Sequence, residues 1–231
     1  MSQTVTVLTV ADLHRDMKLY EQLGVAVKKH RPDVLALVGD YLDATGKQKG
    51  KLTTEASARF LSRLSCPATV FVRGNHEDSE WFAFADEWGF SGKGLHLLDG
   101  QSFVYGPLVI VGFPCLMLQG DGLLESVPSD PNAWLPKVIR PFGPAARSLW
   151  LMHEPPHGTP LSQEGSPFAG HIAWREAIER FLPLVAVFGH DHATPLKRKQ
   201  WHHQIDGNSI CVNVGQTATG PPLLLPLGDA I

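Results

Sequence analysis

Short apolar runs that stop abruptly at residues able to bind metal ions constrain this chain of 231 residues more than any other feature. The clearest run is Ala68–Val72, which reaches Gly74 and then presents Asn75 and His76. A β-branched run of this length is typical of a buried strand, and a glycine is typical of the turn that follows. Ligand sites in α/β proteins form at the carboxyl ends of strands. The stretch therefore predicts a strand whose end carries an amide and an imidazole toward a site.

Two earlier runs end in the same way. The run Thr4–Ala11 leads into Asp12 and His14, and a second buried run, Val34–Val38, is followed by Asp40. A segment with helical apolar spacing separates the two runs, and a strand–helix–strand order predicts a parallel pair. Asp12 and Asp40 are therefore expected at the same edge of one sheet.

Two later runs, 148–152 and 184–188, also end in histidines, namely His153 and the pair His190 and His192. Imidazole, carboxylate and amide groups together suit borderline divalent metals, and residues at i and i+2 in an extended chain point to the same side. Each residue alone has an ordinary alternative, since an aspartate caps helices and Gly-Asn forms turns. Five such strand ends in one chain favour a metal site.

The composition bounds the class of protein. A hydrophobic content of 43% and a charged content of 19% are ordinary for a globular chain, and the length fits a single domain over residues 1–231. The net charge of -3 gives no basic field for nucleic acid. Three cysteines far apart indicate a reducing compartment rather than a disulfide framework. Because no leader segment or membrane span is recognisable, a cytoplasmic location without membrane contact is expected.

The chain changes character after the first three predicted strands. Short strands separated by glycines between residues 95 and 112 predict a second sheet with more antiparallel pairing. The segment 113–147 is rich in proline and glycine and has no clear period. We interpret it as an irregular loop that forms a rim or lid over a site, with a disordered excursion as the alternative.

The order Asp-x-His, Gly-Asp, Gly-Asn-His-Glu, His and Gly-His-x-His, from residue 12 to residue 192, resembles the calcineurin-like metallophosphoesterases. The resemblance implies an α/β fold, a four-layer αββα sandwich with two mixed β-sheets flanked by helices. It also implies a dinuclear metal centre at the strand ends, with Asp40 bridging two ions. The ligands implied for the first metal are Asp12, His14, Asp40 and His192, and those for the second are Asp40, Asn75, His153 and His190.

The resemblance implies roles for further residues. A water shared by the two metals would attack phosphorus, and His76 would assist the leaving group without binding metal. Asp43 would orient His76, or is a solvated loop carboxylate. Arg15 and His157 are candidates for substrate contact, or are surface residues. Manganese, iron, zinc, cobalt and nickel all suit such a ligand set.

The expected function is hydrolysis of a small or nucleotide-like phosphate ester, most simply as a phosphodiesterase. The alternatives are a phosphomonoesterase, a non-catalytic metal-binding scaffold of the same fold, and a nuclease, for which the acidic charge and short chain give no support. The protein Ser/Thr phosphatases of the superfamily continue their Gly-Asp motif with Asp-Arg-Gly, whereas Asp43 is followed by Ala44 here. The lipid A precursor hydrolases carry an arginine at the position of His76.

Overall fold

The computed structural model of the protein describes residues 5–41, 52–77, 95–115, 130–142, 147–162, 170–216 and 223–227. These ranges contain β-strands and α-helices in alternation along most of the chain. The strands are β1 (Val5–Val10), β2 (Val34–Val38), β3 (Ala68–Val72), β4 (Leu95–Leu97), β5 (Gln101–Tyr105), β6 (Leu108–Gly112), β7 (Arg147–Leu151), β8 (Val185–Phe188), β9 (His202–Ile205), β10 (Ser209–Asn213) and β11 (Leu223–Leu227). The helices are α1 (Met17–His30), α2 (Thr54–Ser62), α3 (Pro131–Ile139), α4 (Ile172–Phe181) and α5 (Ala193–Arg198), with a 3-10 turn at Arg140–Phe142.

The strands form two sheets. The first has the order β11-β1-β2-β3-β4, in which β1 to β4 are parallel and β11 runs antiparallel to β1. The second has the order β5-β6-β7-β8-β10-β9, with antiparallel strands only at its two edges. The second sheet contains the expected antiparallel pairing, β5 with β6 and β10 with β9, but its four central strands are parallel. Helical crossovers, such as α4 between β7 and β8, return the chain to the same end of the sheet and make the central strands parallel.

Three apolar layers hold the two sheets and the helices together. Between the sheets, Val7, Ala36 and Val70 of the first sheet belong to the same buried cluster as Ile110 and Leu151 of the second. Strands buried on both faces carry continuous apolar runs, which explains why these segments are recognisable in the sequence. Helices cover both outer faces, so the predicted four-layer αββα arrangement is confirmed.

Helix α1 shows how local sequence sets the boundaries of an element. The Asp16 carboxylate accepts hydrogen bonds from the backbone N–H groups of Lys18 and Leu19, which satisfies donors that the first turn leaves unpaired. The helix ends at Arg31, which adopts a left-handed conformation before Pro32. Its buried face includes Tyr20 and Leu23, which pack on the outer side of the first sheet.

The segment 113–147 is not wholly irregular. Helix α3 lies within it and begins with Asp130, whose carboxylate accepts the N–H of Asn132, and with Pro131 in the first turn. Trp134 and Leu135 of this helix are buried against the outer face of the second sheet. The high proline content of the segment argues against a helix, yet proline is favoured in a first helical turn. A rim or lid formed by this segment stays a prediction.

The carboxyl-terminal part contains α5 and two antiparallel strands, β9 and β10. The proline- and leucine-rich tail contributes β11, whose Leu225 lies opposite Val7 of β1. Within the described ranges, every helix is too short or too polar to cross a membrane.

Candidate metal centre

The carboxyl ends of β1 and β2 lie side by side and are joined by their backbones. Asp12 N–H donates to the Gly39 carbonyl at 3.0 Å, and His14 N–H donates to the Asp40 carbonyl at 2.9 Å. Asp12, His14 and Asp40 all have positive φ angles, of 57°, 44° and 55°. Non-glycine residues rarely adopt this left-handed region, and such residues cluster at functional sites. The two loops thus turn their acidic and imidazole side chains out of the sheet and toward each other.

The first group of converging side chains combines Asp12 with two histidines. His192 Nε2 lies 3.1 Å from Asp12 Oδ1, and the Nε2 atoms of His14 and His192 are 3.2 Å apart. Asp12 is fully buried, and its carboxylate also accepts the backbone N–H of His190. Potential ligand atoms of Asp12, His14 and His192 lie within 4.8 Å of one another, as binding of a single metal ion requires.

The second group joins the ends of β2, β3, β7 and β8. Asn75 Oδ1 lies 3.0 Å from His153 Nε2 and 3.1 Å from His190 Nδ1. Asp40 Oδ2 lies 3.3 Å from the same His153 nitrogen. These side chains come from positions between 40 and 190, so only the meeting of the two sheets brings them together.

Asp40 lies between the two groups. Its Oδ2 atom, close to His153, is also 3.9 Å from His14 Nε2 and 3.6 Å from His76 Nε2. Its other oxygen, Oδ1, accepts the backbone N–H of His76 at 3.0 Å. One buried carboxylate therefore faces both groups, which is the position that a bridging ligand needs.

The donor set fits a cation. The Val38 carbonyl can only accept a hydrogen bond, so His153 Nδ1, at 2.9 Å, carries the ring proton. The Nε2 lone pair of the neutral ring would then face two oxygen acceptors, Asp40 Oδ2 and Asn75 Oδ1. Three acceptors pointing at one another are stable only with a proton or a metal ion among them. The residues therefore fit the metal-binding role that was predicted for them.

The titration behaviour of Asp40 and His153 follows from the same contact. Burial alone would raise the pKa of Asp40, but the imidazoles of His153, His76 and His14 outweigh it and hold that pKa well below its usual range. Burial would likewise lower the pKa of His153, and the Asp40 carboxylate outweighs it and raises that pKa. Without metal, a proton on His153 compensates the buried negative charge.

The other imidazoles divide into two kinds. Burial lowers the pKa of His14 and of His190, which favours the neutral rings that can bind metal. Burial also acts to lower the pKa of His192, but the hydrogen bond and charge of Asp12 outweigh it and raise that pKa. The Asp12–His192 pair therefore resembles the Asp40–His153 pair in holding a proton where a metal would bind.

Sequence reasoning missed Glu77, the last residue of the Gly-Asn-His-Glu stretch. Its buried carboxylate accepts the backbone N–H groups of Asp40 at 2.9 Å, Tyr41 at 2.7 Å and Gly74 at 2.5 Å. These bonds tie the loop after β2 to the loop after β3. The sequence does hint at this role, because Glu77 directly follows the predicted site residues Asn75 and His76. A carboxylate that is buried there needs several hydrogen-bond donors.

Two further polar residues, Asp191 and Asn213, hold the loop that follows β8 and carries His190 and His192. Asp191 accepts the N–H groups of Ala193 and Thr194 and so caps α5. Buried Asn213 donates to the carbonyls of Asp191 and Leu161. Neither residue has a signal in the sequence, because their partners are backbone atoms that only the fold brings near.

The positions of the remaining predicted site residues do not test their predicted roles. Arg15 follows His14 directly, is 8% exposed, and donates its backbone N–H to the Tyr41 carbonyl. His157 is exposed, on the loop after His153, with its backbone N–H bonded to the His171 carbonyl. Asp43 lies outside the described residues. A substrate role for Arg15 and His157, and an orienting role for Asp43, stay predictions.

The fold and the site together define a metallophosphoesterase-type α/β sandwich. The family model for calcineurin-like phosphoesterases matches residues 5–194, and the chain belongs to that family. No functionally curated protein matches the sequence significantly.

Several solved structures share the fold at low sequence identity. The structure of TT1561 from Thermus thermophilus has a TM-score of 0.69 and 17% identity, with 96% of this chain and 94% of that chain covered. A dimetal phosphatase from Danio rerio has a TM-score of 0.61 and 15% identity, with 94% and 89% covered. An archaeal phosphodiesterase has a TM-score of 0.50 and 10% identity, with 97% and 99% covered. At these identities the similarity concerns the fold.

Proposed function

We propose that this protein is a dinuclear-metal-dependent phosphoesterase that cleaves a small or nucleotide-like phosphodiester. The observation that carries the proposal is the position of Asp40, whose Oδ2 atom faces both groups of side chains. Membership of the calcineurin-like phosphoesterase family supports the ester-hydrolase class. The choice of a diester rests on the Pro155-Pro156 pair after His153 and on the Gly-His-x-His pattern, which resemble those of the small phosphodiesterases of the superfamily.

The first ion would be held by Asp12, His14, His192 and Asp40, and the second by Asn75, His153, His190 and Asp40. Two divalent ions in such a site polarise a phosphate and lower the pKa of a coordinated water, which makes hydrolysis possible at neutral pH. Manganese, iron, zinc, cobalt and nickel are the candidates.

His76 is assigned to the leaving group. Its side chain is 24% exposed, whereas that of His153 is fully buried, so His76 can meet a substrate that approaches from solvent. Its Nε2 atom lies 3.6 Å from Asp40 Oδ2, so this ring nitrogen faces the site. A protonated imidazole at this position can donate its proton to the departing oxygen.

The test compares hydrolysis of bis-p-nitrophenyl phosphate and p-nitrophenyl phosphate by the purified chain with Mn²⁺ and after chelation. Faster turnover of the diester, abolished by chelation and restored by Mn²⁺, is expected. Preference for the monoester would contradict the phosphodiesterase assignment and leave a phosphatase. No turnover with any of the five metals, although two ions are bound, would favour a non-catalytic scaffold.

Two variants separate metal binding from proton donation. His76→Gln is expected to retain two ions while losing roughly 100-fold or more in kcat, a magnitude typical of lost general acid catalysis. His153→Ala is expected to lose one ion as well as activity. His202→Gln is the matched control, because His202 is exposed on the edge strand β9. Loss of an ion from His76→Gln would show that His76 is itself a ligand.

A further inference from the structure

A cavity of about 590 Å³ lies on the outer face of the second sheet, between that sheet and helices α3 and α4. Its walls include Val109 of β6, Trp150 of β7, Phe142 after α3, and Phe181 at the end of α4. The volume is in the range of small-molecule sites, which are concave and mostly apolar with a few polar groups. The cavity therefore has the size and the wall chemistry of a ligand site.

The polar groups around this cavity are mainly hydrogen-bond donors. Arg140 and Arg180 line it together with Ser148, and no acidic residue is among the described lining residues. Within the described ranges, neither arginine has a carboxylate at ion-pair distance. The guanidinium of Arg180 is 5.1 Å from the centre of the Phe181 ring and donates to Asn132 Oδ1 at 2.7 Å, which holds it at the cavity.

Trp150 supplies part of the apolar wall. Its side chain lines the cavity together with those of Val109 and Phe181. Two cations beside an apolar wall favour an anion that also has an apolar body.

We propose that this cavity binds a small organic anion, with one acidic group on an apolar body of one or two rings. The acidic group would pair with the guanidinium groups of Arg140 and Arg180, which suit the planar geometry of a carboxylate or the oxygens of a sulfonate or phosphate. The rings would pack against Trp150, Phe142 and Phe181.

The site is separate from the metal centre. Ser148 lies near the start of β7, whereas His153 follows the end of the same strand. Trp150, the lining residue of β7 nearest to His153, is three residues before it, about 10 Å along a strand, so the cavity and the metal ligands lie at different points of the strand.

The experiment measures binding of 8-anilinonaphthalene-1-sulfonate to the Mn²⁺-loaded full chain by fluorescence and calorimetry. The uncharged N-phenyl-1-naphthylamine is the matched neutral probe. One molecule of the sulfonate is expected to bind per chain. Arg140→Gln and Arg180→Gln are each expected to weaken it roughly tenfold, the worth of one charged hydrogen bond. The affinity for the neutral probe should change less than twofold in either arginine variant.

Arg63→Gln serves as the control variant, because Arg63 follows α2 on the other sheet and does not line this cavity. It should leave sulfonate binding unchanged. The proposal is overturned if neither Arg140→Gln nor Arg180→Gln weakens the sulfonate. It is also overturned if removal of Mn²⁺ by a chelator abolishes sulfonate binding, since the sulfonate would then occupy the metal centre. Both arginines are exposed, so their variants should fold, and thermal unfolding checks this.

Discussion

Replacement of Glu77 should show how strongly the candidate metal centre depends on a residue that is not among its candidate ligands. The carboxylate accepts three backbone N–H groups, from Asp40, Tyr41 and Gly74, and is 2% exposed. In Glu77→Gln one oxygen becomes an NH₂ donor. If the amide oxygen takes the Oε2 position, the bonds from Asp40 and Gly74 remain and the bond from Tyr41 is lost.

The magnitude follows from the worth of these bonds. A hydrogen bond to a charged group contributes about 1.5 to 3 kcal/mol, so losing one bond and the charge of the other two predicts a loss of about 3 kcal/mol. Glu77→Ala removes the acceptors of all three bonds and, at this contribution per bond, should cost roughly 4 to 9 kcal/mol. Because Glu77 fixes the backbone of Asp40, affinity for Mn²⁺ should fall about 10- to 100-fold in Glu77→Gln, as for other outer-shell partners.

Urea unfolding in the presence of a chelator measures the free energy of unfolding, and calorimetry with Mn²⁺ measures the affinity. Glu55→Gln is the matched control, because the exposed Glu55–Arg59 pair on α2 should contribute less than about 1 kcal/mol. A Glu77→Gln protein that loses less than about 1 kcal/mol and binds Mn²⁺ with unchanged affinity would refute this reasoning.

Three further predictions concern protons, glycines and thiols. In the metal-free protein the pKa of His153 is raised, so protonated His153 stabilises the fold fully below its unfolded-state pKa, and this stabilisation is lost as pH rises through its folded-state pKa. Binding of Mn²⁺ must displace the proton from His153. Calorimetry in buffers of different ionisation enthalpy should therefore show proton release on binding and an affinity that rises with pH. Gly74→Ala should not bind metal, because an added Cβ overlaps the Asp40 side chain and backbone. Gly158→Ala, with open space around the Cβ, should still bind metal, and direct titration with Mn²⁺ measures both. Burial raises the pKa of the Cys211 thiol to about 12, so a disulfide reagent at pH 8 should modify half-buried Cys66 before Cys211, and faster labelling of Cys211 would contradict this.

Much of the candidate site could be predicted from sequence because its candidate ligands follow buried strands. A strand covered on both faces needs a continuous apolar run, and a side chain such as Asp12, Asp40 or His153 directly after it interrupts the run. The parallel β1–β2 pairing and the membership of the calcineurin-like phosphoesterase family agree with that interpretation. The predicted four layers follow from the same pattern of strands and helices.

The parts that sequence did not reveal depend on contacts between distant segments. Glu77 and Asn213 bond to backbone atoms of other loops, and no local pattern marks a residue whose partner is a distant N–H or carbonyl group. Helix α3 was missed because its buried residues, Trp134 and Leu135, acquire a helical role only against the second sheet. Local propensity is a weak guide where tertiary packing decides the conformation.

The sequence by itself therefore determined which side chains stand at strand ends and what chemistry they offer. The tertiary structure alone decided that Asp40 faces both groups and that Asn75 lies between His153 and His190. It also decided that the central strands of the second sheet are parallel and that a cavity with two arginines lies behind that sheet. The physical reason is that strand runs and turn residues act over a few neighbours, whereas the distances within a site are set by the packing of two sheets whose strands lie far apart in the chain.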